Sequence, residues 1–207
     1  MTNKTVNWDN NLSIRKVISL LQEGSVVVGP SDTVLGLYSQ PTDQGFLSLN
    51  KIKKRSKKPY LLLIPVSFEL NQYVESRYLL QVENIMAHFW PGPLTLIFKA
   101  KSTVPAYMTS SDSTIAVRMP KHDRVQQILA QTGPLFSTSA NLTGEPIPTT
   151  LSELNPIIKQ QASTLIVGAS NHQSLPSTIL DTTKEPFVIV REGAYSKEEL
   201  NPFMLKK

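Results

Sequence analysis

The 207-residue sequence contains no cysteine. This excludes a disulfide framework, a thiolate nucleophile and a cysteine-ligated zinc site, and it is typical of a reducing compartment. The longest apolar runs, such as 61–65 and 94–98, are far shorter than the ~20 residues that a membrane-spanning helix needs. The first residues lack the apolar core of a signal peptide. We therefore expect a soluble cytoplasmic protein that does not associate with a membrane.

Familiar catalytic motifs are also missing. The sequence has no G-x-G-x-x-G dinucleotide motif and no G-x-S-x-G nucleophile motif. His88, His122 and His172 lack metal-ligand spacing, and no pair of carboxylates stands out as a general acid and base. We expect no metal site formed by protein ligands. If the chain is an enzyme, it works by positioning and electrostatics rather than through a covalent intermediate.

Positive charge is concentrated in one segment, residues 51–59. The segment has six basic residues and no acidic residue, so with the whole chain at +5 the remaining residues carry a net charge of −1. A solvated loop is the ordinary interpretation of such a charge run. However, the apolar run 60–65 follows at once and predicts a buried strand, which would hold these cations in place. Fixed cations suit a polyanionic ligand.

Hydrophobic periodicity predicts one α/β (α+β) domain over residues 1–207, with a mixed sheet flanked by helices. A helix over 14–21 would be capped by Asn11 or Ser13, and Ser and Thr in 102–113 predict a mobile loop. The predicted strands cover 25–28, 33–38, 61–65, 94–98, 115–119, 135–138, 165–167, 178–181 and 187–191. The other predicted helices start near Asp43 or cover 79–89, 125–129 and 151–161, with a final helix or fold-back at 197–205.

Polar side chains recur where predicted strands end. The clusters are 31–33, 137–141 and 177–178, and Arg118 and Arg191 lie within apolar strands. Taken singly, hydroxyl groups beside Asn and Gly form turns and caps, and a strand arginine often faces solvent. Taken together, they lie at the strand ends of an open sheet, which is where ligands bind in α/β folds.

Seven segments of the sequence resemble motifs of the YrdC-like threonylcarbamoyl-AMP synthase family, in its short, single-domain bacterial form. The segments occur in family order between about residues 11 and 195, and although each match is weak alone, the ordered set is highly specific. They are PSDTVLGL at 30–37, KKR with KP at 53–59, WPGPLTL at 90–96, TIAVRMP at 114–120, STSANLTG at 137–144, STILD at 177–181 and REGA at 191–194.

The resemblance implies a twisted mixed sheet around a concave cavity. It also implies a nucleotidyltransferase that forms L-threonylcarbamoyladenylate and pyrophosphate from L-threonine, bicarbonate and ATP. The product would pass to a complex that transfers the threonylcarbamoyl group to the adenosine beside the tRNA anticodon. Mg²⁺ would accompany ATP as substrate, because magnesium keeps much of its own water and needs few protein carboxylates. No prosthetic group is expected.

The same resemblance implies roles for individual residues. The expected catalytic residues are Lys53, Arg55, Ser139 and Asn141. The expected ATP-binding residues are these four with Lys58, Thr114 and Arg191, whose cations would neutralise charge on the phosphates. The expected threonine-binding residues are Thr33, Arg118, Ser137 and Ser177, with Arg118 pairing with the carboxylate. Lys51, Lys54 and Lys57 would remain solvated.

Three residues depart from the family pattern. Ser31 replaces a threonine but keeps the hydroxyl, Leu35 replaces a tyrosine, and Ser56 replaces a proline that would stiffen the basic segment. These departures fit either ordinary divergence or a paralogue with altered activity. Because the Lys53/Arg55 and Ser139/Asn141 pairs are retained, we favour an active synthase.

Two alternatives remain open. A non-catalytic module of the same fold would bind tRNA or double-stranded RNA through phosphate contacts, although few aromatic residues lie near the basic segment to stack on bases. Even an active synthase could make a weak tRNA contact. A carbamoyl-transfer domain of the hydrogenase-maturation type would belong to a larger chain. Residues 102–113 and 144–150 are the candidate loops to close over a ligand.

Overall fold

The computed structural model describes residues 4–55, 58–168 and 175–204. In this part of the chain, ten strands form one sheet in the order β1-β8-β2-β3-β7-β4-β6-β5-β9-β10. The strands are β1 Thr5–Asn7, β2 Val27–Gly29, β3 Gly36–Ser39, β4 Leu61–Leu63, β5 Leu94–Lys99, β6 Thr114–Arg118, β7 Leu135–Ser139, β8 Thr164–Val167, β9 Thr178–Asp181 and β10 Val188–Arg191. The predicted mixed sheet is confirmed, since it contains parallel pairs such as β4 with β6 and antiparallel pairs such as β4 with β7.

Helices cover both faces of this sheet. They are α1 Asn11–Gln22, α2 Asp43–Lys53, α3 Ser76–Gln81, α4 Glu83–Phe89, α5 Asp123–Thr132, α6 Pro156–Gln161 and α7 Lys197–Met204. None of the helices in the described part of the chain is long and apolar enough to cross a lipid bilayer.

The strands bury apolar side chains on both faces because successive residues of a strand point in opposite directions. Val27 packs with α1 and α5 in one core, whereas its neighbour Val28 packs with α2 and α4 in the larger core on the other face. Leu62 and Leu63 divide between the same two cores. This double burial explains why residues 26–28 and 61–63 are continuous apolar runs.

Several predicted boundaries were wrong for local reasons. Asn10, not Asn11 or Ser13, caps α1, because its side chain accepts a hydrogen bond from the backbone N–H of Leu12 at 2.8 Å. The predicted helix over 79–89 is divided at Val82 into α3 and α4. The helix predicted over 151–161 begins only at Pro156, where Asn155 supplies the cap. The short edge strand β1 was not predicted.

The segment 102–113 is tied to the larger core rather than lying free on the surface. It contains a 3₁₀ turn over Ala106–Met108, and the side chains of Val104 and Met108 are buried. The Tyr107 hydroxyl donates to the backbone oxygen of Pro41 at 3.3 Å. The segment was predicted to be mobile because it is rich in Ser and Thr. The two buried side chains and the hydrogen bond of Tyr107 instead attach it to the rest of the protein.

Candidate functional site

A cavity of about 240 Å³ is lined by residues of seven strands: β3, β7, β4, β6, β5, β9 and β10. These seven strands are consecutive neighbours in the sheet. Six spacings of ~4.8 Å would span roughly 29 Å in a flat sheet, so the sheet must curve for all seven to face one cavity. The curvature provides the concave site that the polar strand ends had suggested.

Most of the predicted site residues meet at this cavity. Seven of the eleven line it: Thr33, Arg55, Arg118, Ser137, Ser139, Ser177 and Arg191. The other four, Lys53, Lys58, Thr114 and Asn141, lie outside its lining. Three guanidinium groups and no carboxylate are therefore found among the described lining residues, so the lining itself carries only positive charge.

Arg118 forms a buried ion pair at the end of β6. Its Nη1 atom donates to Oδ1 of Asp32 at 2.7 Å, and only 3% and 7% of the two side chains is exposed. The other carboxylate oxygen of Asp32 accepts from the backbone N–H of Lys121 at 3.0 Å. The buried Nε of Arg118 has no partner among the described residues. Arg118 thus faces the cavity from a fixed position with donor capacity to spare.

Asp32 is a residue of the candidate site that the residue-level predictions missed. Its place in the motif at 30–37 was noted, but it was not predicted as the partner of Arg118. A signal was present, because an arginine inside an apolar strand is costly to bury without a counter-charge. Searching for a carboxylate at another strand end would have found Asp32.

Two pairs of hydroxyl groups line the cavity. Ser31 Oγ donates to the backbone oxygen of Val34 at 3.0 Å and lies 2.9 Å from Thr33 Oγ1. Since the Ser31 proton is used, Thr33 donates to Ser31 and keeps its own lone pairs for a ligand. In the second pair, Thr95 Oγ1 and Ser177 Oγ lie 2.8 Å apart. Thr95 was not predicted as a site residue.

Arg191 of β10 is fixed by its contacts with Ser177. Its Nη2 atom donates to the Ser177 backbone oxygen at 2.7 Å and to Ser177 Oγ at 3.2 Å. Burial, and secondly the positive charge of Arg118, lower the pKa of Arg191. The two arginines are therefore close enough to repel each other, and an anion between them would relieve that repulsion.

Arg55 lies at the rim of the cavity, where the basic segment meets β4. Its Nη2 atom donates to the backbone oxygens of Lys58 and Pro59 at 3.2 and 3.0 Å, and its guanidinium carbon lies 4.3 Å from the centroid of the Tyr60 ring. The cation–π contact with Tyr60 and the two hydrogen bonds to backbone carbonyl oxygens fix the orientation of the Arg55 side chain. Lys58 itself is exposed, and Ser56 and Lys57 lie outside the described residues.

Lys53 is buried, with 2% of its surface exposed, and it bonds to protein oxygens. Its Nζ atom donates to the backbone oxygens of Ser139 and Asn141 at 2.8 and 2.5 Å, and to Oδ1 of Asn141 at 3.0 Å. Burial, together with the neighbouring charge of Arg55, lowers its pKa from 10.5 to about 8, against an opposing effect of Glu145. The predicted direct contact of Lys53 with ATP stays a prediction.

Thr114 and Asn141 are also bonded within the protein. Thr114 Oγ1 lies 2.7 Å from Ser110 Oγ, and Asn141 Nδ2 donates to the backbone oxygen of Glu145 at 2.5 Å. Asn141 lines a second cavity of about 480 Å³, and Ile147 contributes to the linings of both cavities. The two cavities are thus neighbours, and together they offer space for a longer ligand than the first cavity alone could hold.

Leu35, one of the departures from the family pattern, does not line the cavity. Only 4% of Leu35 is exposed, and its side chain packs in the larger core. Its backbone oxygen accepts from the N–H of Ala140 at 2.9 Å and so ties β3 to the end of β7. The structure gives no reason to link this substitution to a lost ligand contact.

Comparison with known proteins decides the family. The Sua5/YciO/YrdC family model, described as "Telomere recombination", matches residues 19–193. The chain belongs to this family. Threonylcarbamoyl-AMP synthase from Pyrococcus abyssi is 30% identical over 189 residues, which cover 90% of this chain but 56% of that relative. The enzyme of the same name from Photobacterium profundum is 31% identical over 186 residues, 87% of this chain and 99% of that relative.

A solved structure shows the same fold. P. abyssi Sua5 complexed with L-threonine superposes with a TM-score of 0.84 at 26% identity, over 98% of this chain and 61% of that chain. This chain therefore spans less than two thirds of the P. abyssi relative. The predicted family and fold are confirmed, whereas the roles of individual site residues stay predictions.

Proposed function

We propose that this Sua5/YciO/YrdC family member is a threonylcarbamoyl-AMP synthase, which forms L-threonylcarbamoyladenylate and pyrophosphate from L-threonine, bicarbonate and ATP. The observation that carries the proposal is the cluster of Arg55, Arg118 and Arg191 around one cavity, whose described lining residues include no carboxylate. An amino-acid carboxylate and a triphosphate supply the negative charge that such a cluster requires. The names of the relatives and the threonine-bound P. abyssi structure support this choice.

In this proposal the Arg118 side of the cavity holds threonine. Arg118 binds the carboxylate with the N–H groups that Asp32 leaves free. The lone pairs of Thr33 Oγ1 accept from the amine, and the hydroxyls of Ser137 and Ser177 contact the remaining polar atoms of the amino acid. These contacts fix the amine in one direction, which converts an encounter into an oriented reaction.

The chemistry needs positioned cations more than a protein nucleophile. The threonine amine adds to carbon dioxide derived from bicarbonate and loses a proton, which gives a carbamate. A carbamate oxygen then bonds to the α-phosphorus while the bond to pyrophosphate breaks. Negative charge grows on the phosphate oxygens and the leaving group, and Arg55 lies at the cavity rim to neutralise it. Ser139 and Asn141 supply polar contacts beside it.

Magnesium would arrive as part of the MgATP substrate. In residues 4–55, 58–168 and 175–204, no group of three or more His, Asp or Glu side chains could hold a metal ion. Asp32 is already engaged by Arg118 and the Lys121 N–H. We therefore assign the Mg²⁺ ligands to phosphate oxygens and water, and we propose no prosthetic group.

The adenylate is a mixed anhydride, so it must be consumed by a transferase that accepts an activated carbamoyl group. We propose that it passes in the cytoplasm to a complex that modifies the adenosine beside the tRNA anticodon. The exposed Lys54 and Lys58 offer charge for a weak tRNA contact during this step.

The test is pyrophosphate release by the purified protein with all three substrates and with each omitted in turn. We expect release only when threonine, bicarbonate and ATP are all present, together with a product of the adenylate's mass in the mass spectrum. Absent or threonine-independent release, combined with tight binding of tRNA or double-stranded RNA, would instead support the non-catalytic RNA-binding module.

A further inference from the structure

Lys53 differs from the other described lysines of the basic segment. It is the last residue of α2 and is 2% exposed, whereas Lys51, Lys54 and Lys58 are exposed to solvent. Burying an ammonium group is costly unless its donors are satisfied. Its partners therefore indicate what the side chain does.

All three N–H groups of Lys53 are matched by oxygens of one segment. The acceptors are the backbone oxygens of Ser139 and Asn141 and the side-chain oxygen of Asn141. In return, Thr143 Oγ1 donates to the backbone oxygen of Lys53 at 2.9 Å. An ammonium has three donors, so this arrangement leaves none directed at a phosphate.

The restraint continues along residues 139–145, which we call the 139–145 loop. Ser139 Oγ donates to Asn141 Oδ1 at 2.6 Å, and Asn141 Nδ2 donates to the Glu145 backbone oxygen. The Glu145 carboxylate in turn accepts from Asn155 Nδ2 at 3.0 and 3.1 Å. Ser139 lines the first cavity and Asn141 the second, so one tether orients polar groups in both.

We propose that Lys53 is a positioning residue: its ammonium fixes the 139–145 loop and so orients Ser139 and Asn141, without itself contacting the ligand. The part of this inference that concerns ATP rests on the proposed synthase function, whereas the tether to the loop does not. Of the basic segment, Arg55 then provides the direct phosphate contact, because it lines the cavity and Lys53 does not.

Protonation decides whether the tether is complete. The neutral amine has two N–H groups for three oxygens, so deprotonation removes one of the three bonds. The charged groups that act on Lys53 are Arg55, which favours loss of the proton, and Glu145, which opposes it. We expect kcat/KM of the wild-type protein to show a transition near pH 8, where Lys53 exchanges three bonds for two, and that of Lys53→Met to lack this transition.

The tether is tested first without any ligand, by hydrogen exchange. The Ala140 N–H bonds to the Leu35 oxygen and the Glu145 N–H to the Leu142 oxygen, so both report on the 139–145 loop. Lys53→Met should speed exchange of these two amides about tenfold or more. Lys51→Met, a matched change at an exposed position of the same helix, should leave them unchanged. Equal exchange in wild type and Lys53→Met would overturn the proposal.

A double-mutant cycle on ATP affinity, measured by calorimetry, separates positioning from contact. If Lys53 acts through the loop, the double variant Lys53→Met/Asn141→Ala binds ATP no more weakly than the single variant with the lower ATP affinity. If the two losses multiply, Lys53 contacts ATP directly and the inference is wrong. Failure of the wild-type protein to bind ATP would contradict the proposed function instead, and the exchange result would still decide the tether.

Discussion

Asp32 and Arg118 form a buried ion pair at the candidate site. Asp32→Asn keeps the shape of the side chain but leaves the Arg118 charge without a counter-charge. Because breaking a buried ion pair exposes its full desolvation cost, we expect the free energy of unfolding to fall by ~3–5 kcal/mol. Urea denaturation monitored by circular dichroism measures this loss.

Asp112→Asn is the matched control for this variant. Asp112 is exposed. Lys99 Nζ donates to the backbone oxygen of Asp112, and the substitution keeps this oxygen. We expect a change within ~0.5 kcal/mol. A loss below ~1 kcal/mol for Asp32→Asn would mean that other groups already compensate the charge of Arg118.

Lys53 also predicts how stability depends on pH. Its pKa is about 8 in the folded protein against 10.5 for an unperturbed lysine, so the folded state binds fewer protons between these values. The stability contribution of Lys53 is fully present above about 10.5 and is lost as the pH falls through about 8. The unfolding free energy of wild type relative to Lys53→Met should therefore rise between pH 8 and 10.5. A difference that stays constant across this window would contradict the lowered pKa.

For single residues, the sequence predicted which side chains belong to the candidate site better than it predicted which residues they contact. Arg118 was recognisable because it interrupts an apolar strand and lies within a family motif. Its partner Asp32 lies 86 positions away, and the pairing depends on how β6 meets the segment before β3. Lys53 was predicted to face a ligand because its motif is basic. Its burial arises from the position of the 139–145 loop, which local sequence does not encode.

At the level of elements, a glycine lets two segments meet beside the site. A Cβ atom on Gly193 would lie 2.2 Å from the Pro176 oxygen and 2.7 Å from the Ser177 carbonyl carbon. Both are backbone atoms, so the segment carrying Ser177 would have to move. Gly193→Ala should raise KM for threonine about tenfold or more and cost ~1–3 kcal/mol of stability.

The neighbouring substitution Glu192→Ala serves as the control for Gly193→Ala. Glu192 is exposed and lies on the same segment, so it changes the loop without adding an atom against Ser177. We expect near-wild-type threonine KM and stability for this variant. Steady-state kinetics with threonine varied at saturating ATP distinguishes the two, and equal KM values would show that the close approach at Gly193 is not needed for binding.

The existence of most elements was predictable, but their ends were not. The strands β2 and β4 lie in continuous valine or leucine runs, which predict strands directly, and both ends of Thr178–Asp181 were predicted correctly. Elsewhere single side chains set the boundaries. Asn10 caps α1. The single helix predicted over 79–89 is divided at Val82 into α3 and α4. β1 has only three residues, and its pairing with β8 decides its conformation.

On the scale of the whole molecule, the cavity exists only when the sheet is assembled. Its lining comes from seven adjacent strands whose order in the sheet differs from their order in the chain. Sequence motifs named seven residues that do meet there, because the motifs mark strand ends. Which strands are neighbours, and hence which hydroxyl pairs and ion pairs form, follows from long-range pairing that a local pattern does not contain.

Because residues of seven strands line the cavity, a ligand bound there should stabilise the whole fold. A ligand at 100 times its Kd adds ~2.7 kcal/mol, and at ~2–4 °C per kcal/mol for a chain of this size the melting temperature should rise by roughly 5–11 °C. We expect L-threonine and MgATP each to raise the melting temperature of wild type. Arg118→Gln should abolish the threonine-dependent rise and keep the MgATP-dependent rise, whereas the exposed Arg15→Gln should keep both. A full threonine-dependent rise in Arg118→Gln would mean that the amino acid binds elsewhere than beside the Asp32–Arg118 pair.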